Sequence, residues 1–332
     1  MGHGHASSNF RLVRGEALSE SIRRIVRAQI DEAIHRLTNK GPDWEQAIRD
    51  SRVCCKRLRA VMRLIRKEVK AEIFGREDGC FRDASRALAP VPEVVVSDGM
   101  LRRSGRRISE ELSALCSWSP NGRQSTEIKA PAGIGDQTAA NVAAGLALAR
   151  ERVDEWPFHH EGFSIVAGGL KRCYKEGSNC CYLSLDNPSS RNLRDWRKQV
   201  TYLRHQVSIF RPVWPKVLGS LAEQLKLLGE YLNEYGDLIV LQEGFSMPDS
   251  LELAEVEQRL PRIERRCREL EKKAVAVAQR VYAESPKAFV QRLNEYWLAW
   301  MLEGGSRSMR NNETVEPEGL PRATRSYLKH QH

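Results

Sequence analysis

The sequence predicts an all-α protein. Nearly every periodic segment repeats its apolar residues at steps of three and four, the period of a helix face. Only 94–96 has the composition of a strand. And a helix-like basic stretch occurs twice, 145 residues apart: 48–66 reads IRDSRVCCKRLRAVMRLIR and 193–211 reads LRDWRKQVTYLRHQVSIFR. An internal repeat fixes architecture before any single residue does, so the chain is expected to hold two related helical units.

The elements follow in order. A first helix is expected over 17–37, with Ser19 or Ser21 near its cap. Gly41–Pro42 breaks the chain, and a second helix runs over 44–73. A third covers 80–88, and Pro90 and Pro92 interrupt before a basic helix over 102–115. Residues 117–136 are rich in Ser, Pro and Gly with few apolar anchors, which is linker composition. Helices resume over 137–155, 161–175 and 192–211. Beyond Pro212 and Pro215 come a helix ending near 235–236, a short piece over 237–243 and a long helix over 250–284. Pro286 suits the first turn of a last helix reaching 301. The expected organisation is a loose tail over 1–14, a first bundle over 15–116, a linker over 117–136, a second bundle over 137–302 and a polar tail over 303–332.

Composition narrows the function. A chain of 332 residues can bury a substantial core. Its net charge of +10 suggests an anionic partner: nucleic acid, polyphosphate or an anionic surface. Residues 1–8 read as a polar tail and not as a leader, and the best apolar run, 139–149, is about half a bilayer span. The eight cysteines include two adjacent pairs but no CxxC, the pattern of reduced thiols in a cytosolic protein.

The repeat also carries the chemistry. Aligned without gaps, it retains Arg49/Arg194, Asp50/Asp195, Arg52/Arg197, Leu58/Leu203, Arg59/Arg204 and Arg66/Arg211. A purely structural repeat would keep its apolar residues; this one keeps arginines. In the first copy Arg49, Arg52, Lys56, Arg59, Arg63 and Arg66 step by three and four, which places all six on one helix face. Ile48, Cys55, Leu58, Met62, Ile65 and Val69 follow one step out of phase and form the packing face. Like charges at this spacing repel by a few tenths of a kcal/mol per pair, so folding alone does not call for them. In the second copy Arg194, Arg197, Arg204 and Arg211 share a stripe, with Thr201 and Ser208 in its gaps. Two such stripes brought together would line a positive groove, and the arginine fork matches phosphate oxygens. The alternative reading of each stripe is a solvated helix face. Asp50 and Asp195 are read as ion-pair partners that orient the neighbouring arginines.

At these residues the chain resembles the CHAD domain, the conserved-histidine α-helical domain. The matching motifs are Arg49-Asp-Ser-Arg52 through Lys56-Arg-Leu-Arg59, and Arg194-Asp-Trp-Arg197-Lys198 through Tyr202-Leu203-Arg204. Gly169-Leu-Lys-Arg-Cys-Tyr174-Lys175, Phe210-Arg-Pro-Val-Trp-Pro215, Gly236-Asp237-Leu238 and the stretch from Val281 to Phe289 add to them. The resemblance covers roughly 15–302. It implies two four-helix bundles related by a pseudo-twofold axis, a basic central channel between them, and binding of inorganic polyphosphate. It also implies a cytoplasmic protein found at polyphosphate granules. Expected contacts are Arg49, Arg52, Lys56, Arg59, Arg194, Arg197, Lys198 and Arg204, with Arg63 and Arg66 extending the path. Lys171, Arg172 and Lys175 are further candidates. Other polyanions fit the same chemistry. No cofactor, metal, membrane or catalytic residue is expected, and the oligomeric state is left open.

The departures from the family pattern matter. The name-giving histidines fall at Arg49 and Arg194, and the second-copy lysine at Thr201. Arginine neither ligates metal nor carries a phosphoryl group, but it binds phosphate. Residues 91–94 also diverge, where the family has an Arg-Asp pair before an apolar run. Two other classes compete with a polyphosphate-binding module. A nucleic-acid-binding protein is disfavoured because no aromatics interleave with the basic stripe. An enzyme acting on phosphoanhydrides would need acidic metal ligands on the basic surface, and Asp50 and Asp195 are a thin set. The eight histidines show no ligand spacing with Cys, Asp or Glu, and His159–His160 is expected in a surface turn. Glu269-Leu-Glu271-Lys-Lys273 matches a triphosphatase signature in form, but it lies in a helix and not on the barrel strand that signature needs. Arg102, Arg103, Arg106 and Arg107 form one more basic cluster, with a solvated face as the alternative.

Overall fold

The computed structural model describes residues 9–39, 41–89, 135–245 and 253–308, and every regular element in them is helical. The order is α1 (Leu18–Thr38), α2 (Trp44–Leu64), α3 (Ala71–Ala87), α4 (Asp136–Glu151), a 3-10 turn (Arg152–Glu155), α5 (Ser164–Asp186), α6 (Ser190–Ile209), α7 (Pro215–Phe245), α8 (Leu253–Val281) and α9 (Pro286–Ser308). The all-α class is thus as expected. The strand expected at 94–96, the helix over 102–115 and its arginine cluster lie outside the described residues, as do most of 117–136 and the tails beyond 8 and 308.

Several boundaries differ, each for a local reason. The helix expected over 44–73 stops at Leu64, and a turn separates it from α3. Glu68 in that turn is buried, and its carboxylate accepts hydrogen bonds from the backbone N–H of His159 and His160, at 3.2 and 3.1 Å. A buried carboxylate so occupied fixes the chain in a turn. The α5 segment closes on the same corner. A Cβ on Gly169 would lie 1.9 Å from the carbonyl oxygen of Leu64, so only glycine allows α5 to meet the end of α2. The cap expected at Ser19 or Ser21 is absent: Ser21 is buried one turn inside α1 and donates to Glu16. By contrast, Ser189 caps α6 by accepting from the N–H of Asn192 at 3.2 Å, and Ser285 does the same for α9 from Ala288, ahead of Pro286. Gly236 does not end α7; the helix runs on to Phe245.

Packing follows from the apolar stripes. The first four helices close a ring of contacts, α1 on α2, α2 on α3, α3 on α4 and α4 on α1. Helix α4, from the segment after the expected linker, thus packs on α1 and α3. Its Ala139, Val142, Ala143, Leu146 and Ala149 are buried. Small residues on this face let it sit close to α1 and α3. In the second group α5 packs on α6, α6 on α7, α7 on α8 and α9 on α5. Helices α2 and α6 join the groups by direct contact, and α2 also touches α5. Every residue of the predicted packing face, from Ile48 to Val69, is buried, with Ile65 and Val69 in the turn beyond α2.

Ion pairs brace the joints. Glu77 is fully buried on α3 and accepts from Nε and Nη2 of Arg152, at 2.8 and 2.9 Å, as well as from Arg76 at 2.8 Å. The motif around Tyr174 serves the core. Its ring stacks on Phe289 at 4.3 Å and meets Tyr282 edge-on at 5.3 Å, and its hydroxyl donates to the carbonyl of Val281 at 2.9 Å. The stretch from Val281 to Phe289 thus folds over Tyr174, which explains why both belong to one sequence pattern.

Gly169→Ala is expected to destabilise the protein by about 2 kcal/mol or more, because the added methyl meets backbone that cannot yield. Urea unfolding measures it; a change within error of zero would show that α5 and α2 do not approach as described.

Candidate functional site

The two repeated helices are neighbours. Helix α6 crosses α2 with Gln206 buried at the contact, its Nε2 donating to the carbonyl of Ala60 at 3.1 Å. Near this crossing Arg59 and Arg63 of the first stripe lie against Tyr202 of the second copy. The side chains, however, divide into three environments.

The first is a clamp. Arg59 reaches Asp78 on α3 with Nε at 3.0 Å and Nη2 at 3.3 Å; Arg63 reaches the same carboxylate at 2.6 and 3.3 Å. Tyr202 of α6 lies under both guanidinium groups, its centroid 4.2 Å from Arg63 and 5.9 Å from Arg59. Burial pushes the Asp78 carboxyl upward, but hydrogen bonds from Arg59 and Arg63 outweigh it and hold its pKa below the ordinary value. Two cations around one carboxylate leave a net positive charge with part of its donors already in use. Arg66 is exposed and lies over the ring of Phe74, 4.1 Å from its centroid.

The second environment is the solvent-facing surface of α2, α5 and α6. Arg49 is held on its own helix by Glu45 at 3.2 Å and Gln46 at 3.0 Å. Arg194 and Lys198 are exposed on α6, with Lys198 3.6 Å from Asp195. Lys171, Arg172 and Lys175 are exposed on α5, and Arg172 pairs with Glu176 at 2.7 Å. Arg52, Lys56, Arg197 and Arg204 are half-buried. Thr201 and Ser208, in the gaps of the second stripe, donate to the helix carbonyls of Arg197 and Arg204, both at 2.8 Å. Arg52 bears a cost: burial lowers its pKa, and its Nε has no hydrogen-bond partner among the described residues. A guanidinium so placed is charged at neutral pH and incompletely solvated.

The third environment was marked by the repeat only through Arg204 and Arg211. Arg57 points to the other flank of α2, where Nη1 donates to Gln29 at 3.1 Å and the guanidinium covers Phe10 at 5.1 Å. With Arg11, Arg204, Arg211 and Lys226 it lines a cavity of about 140 Å³. His205 closes the floor, edge-on to Phe10 at 6.1 Å. Burial, reinforced by Arg204, Arg57 and Lys56, drives its pKa well below the ordinary histidine value, so it is neutral.

The carboxylates correct one expectation. Asp50 pairs with Arg36 of α1 at 2.8 Å, not with the stripe arginines. The carboxylate that organises the stripe is Asp78, on another helix. A clue lay in the sequence: Asp78 and Glu223 are 145 residues apart, the repeat offset. Among the described residues no group of three or more His, Cys, Asp or Glu is arranged to hold a metal, and no helix is long and apolar enough to cross a membrane. The Glu269-to-Lys273 segment lies inside α8, where Glu269 pairs with Arg266 at 3.0 Å.

Two consequences can be measured. Asp78→Asn leaves two partly buried arginines without their carboxylate and is expected to cost about 3 kcal/mol; added sulfate should recover part of that loss in chemical unfolding, whereas sodium chloride at equal ionic strength should not. His205 sets an acid limit. Its folded pKa is depressed, so below about pH 6.5 the unfolded chain binds a proton that the folded chain refuses, and stability falls by about 1.4 kcal/mol per pH unit. Unfolding free energies at pH 7, 6 and 5.5 should show this slope, and His205→Leu should flatten it.

Comparison with known proteins agrees with the geometry. A family model described as the CHAD domain matches residues 24–245, from α1 to the end of α7. No curated protein and no solved structure shows significant similarity to the chain.

Proposed function

The chain belongs to the CHAD domain family, whose model spans about two thirds of it, and from this we propose that it is a non-enzymatic binding module for inorganic polyphosphate. The ligand runs along the basic edge of α2 and α6, in the channel between the helical bundles that the family resemblance implies. Arg49, Arg52, Lys56, Arg194, Arg197, Lys198 and Arg204 provide the contacts. Arg59, Arg63 and Arg66 shape the path and add field; Lys171, Arg172 and Lys175 extend it along α5. The observation that carries this reading is the row of cations on α2 and α6: Arg49, Arg194 and Lys198 are exposed, and Arg52, Lys56, Arg197 and Arg204 are partly so, where phosphate oxygens can meet them. A polyanion with one charge per repeating unit suits a row of cations spaced along a helix face. Binding is multivalent, fast and steeply salt-dependent, since it releases condensed counterions. Its place in the cell is the cytoplasm, at polyphosphate granules.

The competing classes gain less support. A nucleic-acid reader needs open aromatic faces beside the cations. The aromatics nearest the stripe, Tyr202 and Phe74, are covered by arginines. A phosphoanhydride hydrolase needs carboxylates free to bind metal. The buried Asp78 is saturated by Arg59 and Arg63.

Charge reversal tests the path. Arg49→Glu, Arg194→Glu and Lys198→Glu alter exposed side chains, so helical content is expected to persist, while affinity for long polyphosphate should drop at least about tenfold and the salt slope should decrease. A folded triple variant with parental affinity would reduce the stripe to a solvated face. Single-stranded DNA should compete poorly, and no phosphate should be released with Mg²⁺ or Mn²⁺. Because arginine replaces both family histidines, affinity should stay flat between about pH 6 and pH 8 at fixed ionic strength. Arg49→His with Arg194→His should bring back weaker binding at the higher pH.

A further inference from the structure

The repeat offset extends beyond the basic helices, and it exposes an asymmetry. Helix α3 starts at Ala71, and the position 145 residues on, Lys216, is the second residue of α7. The register holds further along: Phe74 aligns with Gly219, Asp78 with Glu223 and Phe81 with Lys226. The side chains agree with this alignment. Arg66 lies on the ring of Phe74, and its counterpart Arg211 lies against Gly219, where a Cβ would stand 3.4 Å from the Arg211 Nε. In the first half, then, the space beside the stripe is filled. Phe74, the buried Phe81 and Tyr202 occupy it, and Asp78 sits in the arginine fork where an anion could sit. In the second half those positions hold Gly219, Lys226 and Arg57. The bulk is gone, two of the three replacements are cations, and a cavity remains, with Glu223 exposed at its rim.

We infer that this cavity is a compact site for a terminal phosphate group, either the end of a polyphosphate chain or free pyrophosphate. Arg11, Arg57, Arg204, Arg211 and Lys226 line it with one carboxylate, Glu223, and enclose about 140 Å³, room for a phosphate or a pyrophosphate. A terminal phosphate takes up to two negative charges where an internal one takes a single charge, and a concentrated cation cluster favours the former. Neutral, buried His205 and the edge of Phe10 give the floor low polarity, which strengthens each charge-assisted hydrogen bond above it. In the first half Asp78 occupies the fork of Arg59 and Arg63. The inference rests on the proposed function only for the class of ligand.

The test uses the full chain and separates the two claims. Inorganic pyrophosphate is titrated by calorimetry, alongside long polyphosphate with free ends and the same chains capped at both ends as phosphoramidates. Pyrophosphate should bind saturably, and free-ended chains should bind more tightly than capped ones. Arg211→Glu with Lys226→Glu, both exposed, should weaken pyrophosphate at least about tenfold and erase the preference for free ends, with capped-chain binding changed far less. Glu223→Gln, which removes the one carboxylate, should strengthen pyrophosphate binding. Absence of saturable pyrophosphate binding, or equal affinity in the parent and both variants, overturns the site. If capped chains bind and pyrophosphate does not, this inference alone fails. If pyrophosphate binds and capped chains do not, the extended path fails and the cavity stands.

Discussion

The structure depends on how one carboxylate, Asp78, handles a concentration of positive charge. Arg59 and Arg63 lie between α2, α3 and α6, each about one-fifth exposed. Unscreened, their repulsion would oppose the packing of α3 and α6 on α2. Asp78 accepts from both and sets their planes, and the ring of Tyr202 receives their faces. The clamp ties three helices at the centre of the fold, and the remaining cations of the stripe are arranged around it. The proposed binding chemistry and folding stability therefore share side chains. This limits which arginines can be replaced without loosening the centre.

Much of the fold could be read from the sequence. The phase of Ile48, Cys55, Leu58, Met62, Ile65 and Val69 gave the buried face of α2, because burial on a helix follows its own periodicity. What could not be read were contacts made across helices. The stop at Leu64 depends on Gly169 of α5 and on Glu68 binding backbone around His159. Helix α4 carries alanines and few large apolar residues, so its periodicity did not say which bundle it would join. Asp78 stands in an ordinary polar context in α3, and only its place opposite α2 makes it the partner of the stripe.

The candidate site was legible in part for the same reason. The repeat marked residues on two helices and was silent about those that approach from elsewhere. Arg57 lies one position after Lys56 and off the stripe, yet it faces the cavity. Arg11 comes from the segment before α1 and Lys226 from α7. Charge alone did not distinguish them from the many other basic residues of the chain. The aromatic argument also changed its basis: aromatics do lie near the stripe, but α3 and α6 supply them and guanidinium groups cover them.

The thiols add a consequence of a different kind. Seven described cysteines are free, and burial raises the pKa of Cys54 to about 11 and of Cys55 to about 12; it raises that of fully enclosed Cys173 further. The thiolate is the reactive species, so these sulfurs are silent toward alkylating reagents while the helices stay closed. Cys54 and Cys55 lie on α2, Cys173 on α5 against the carbonyl of Gln199 in α6. Each thus acts as a built-in clock for the opening of its own interface. The order in which they become labelled in the native protein reads out which helices separate first, without any introduced probe.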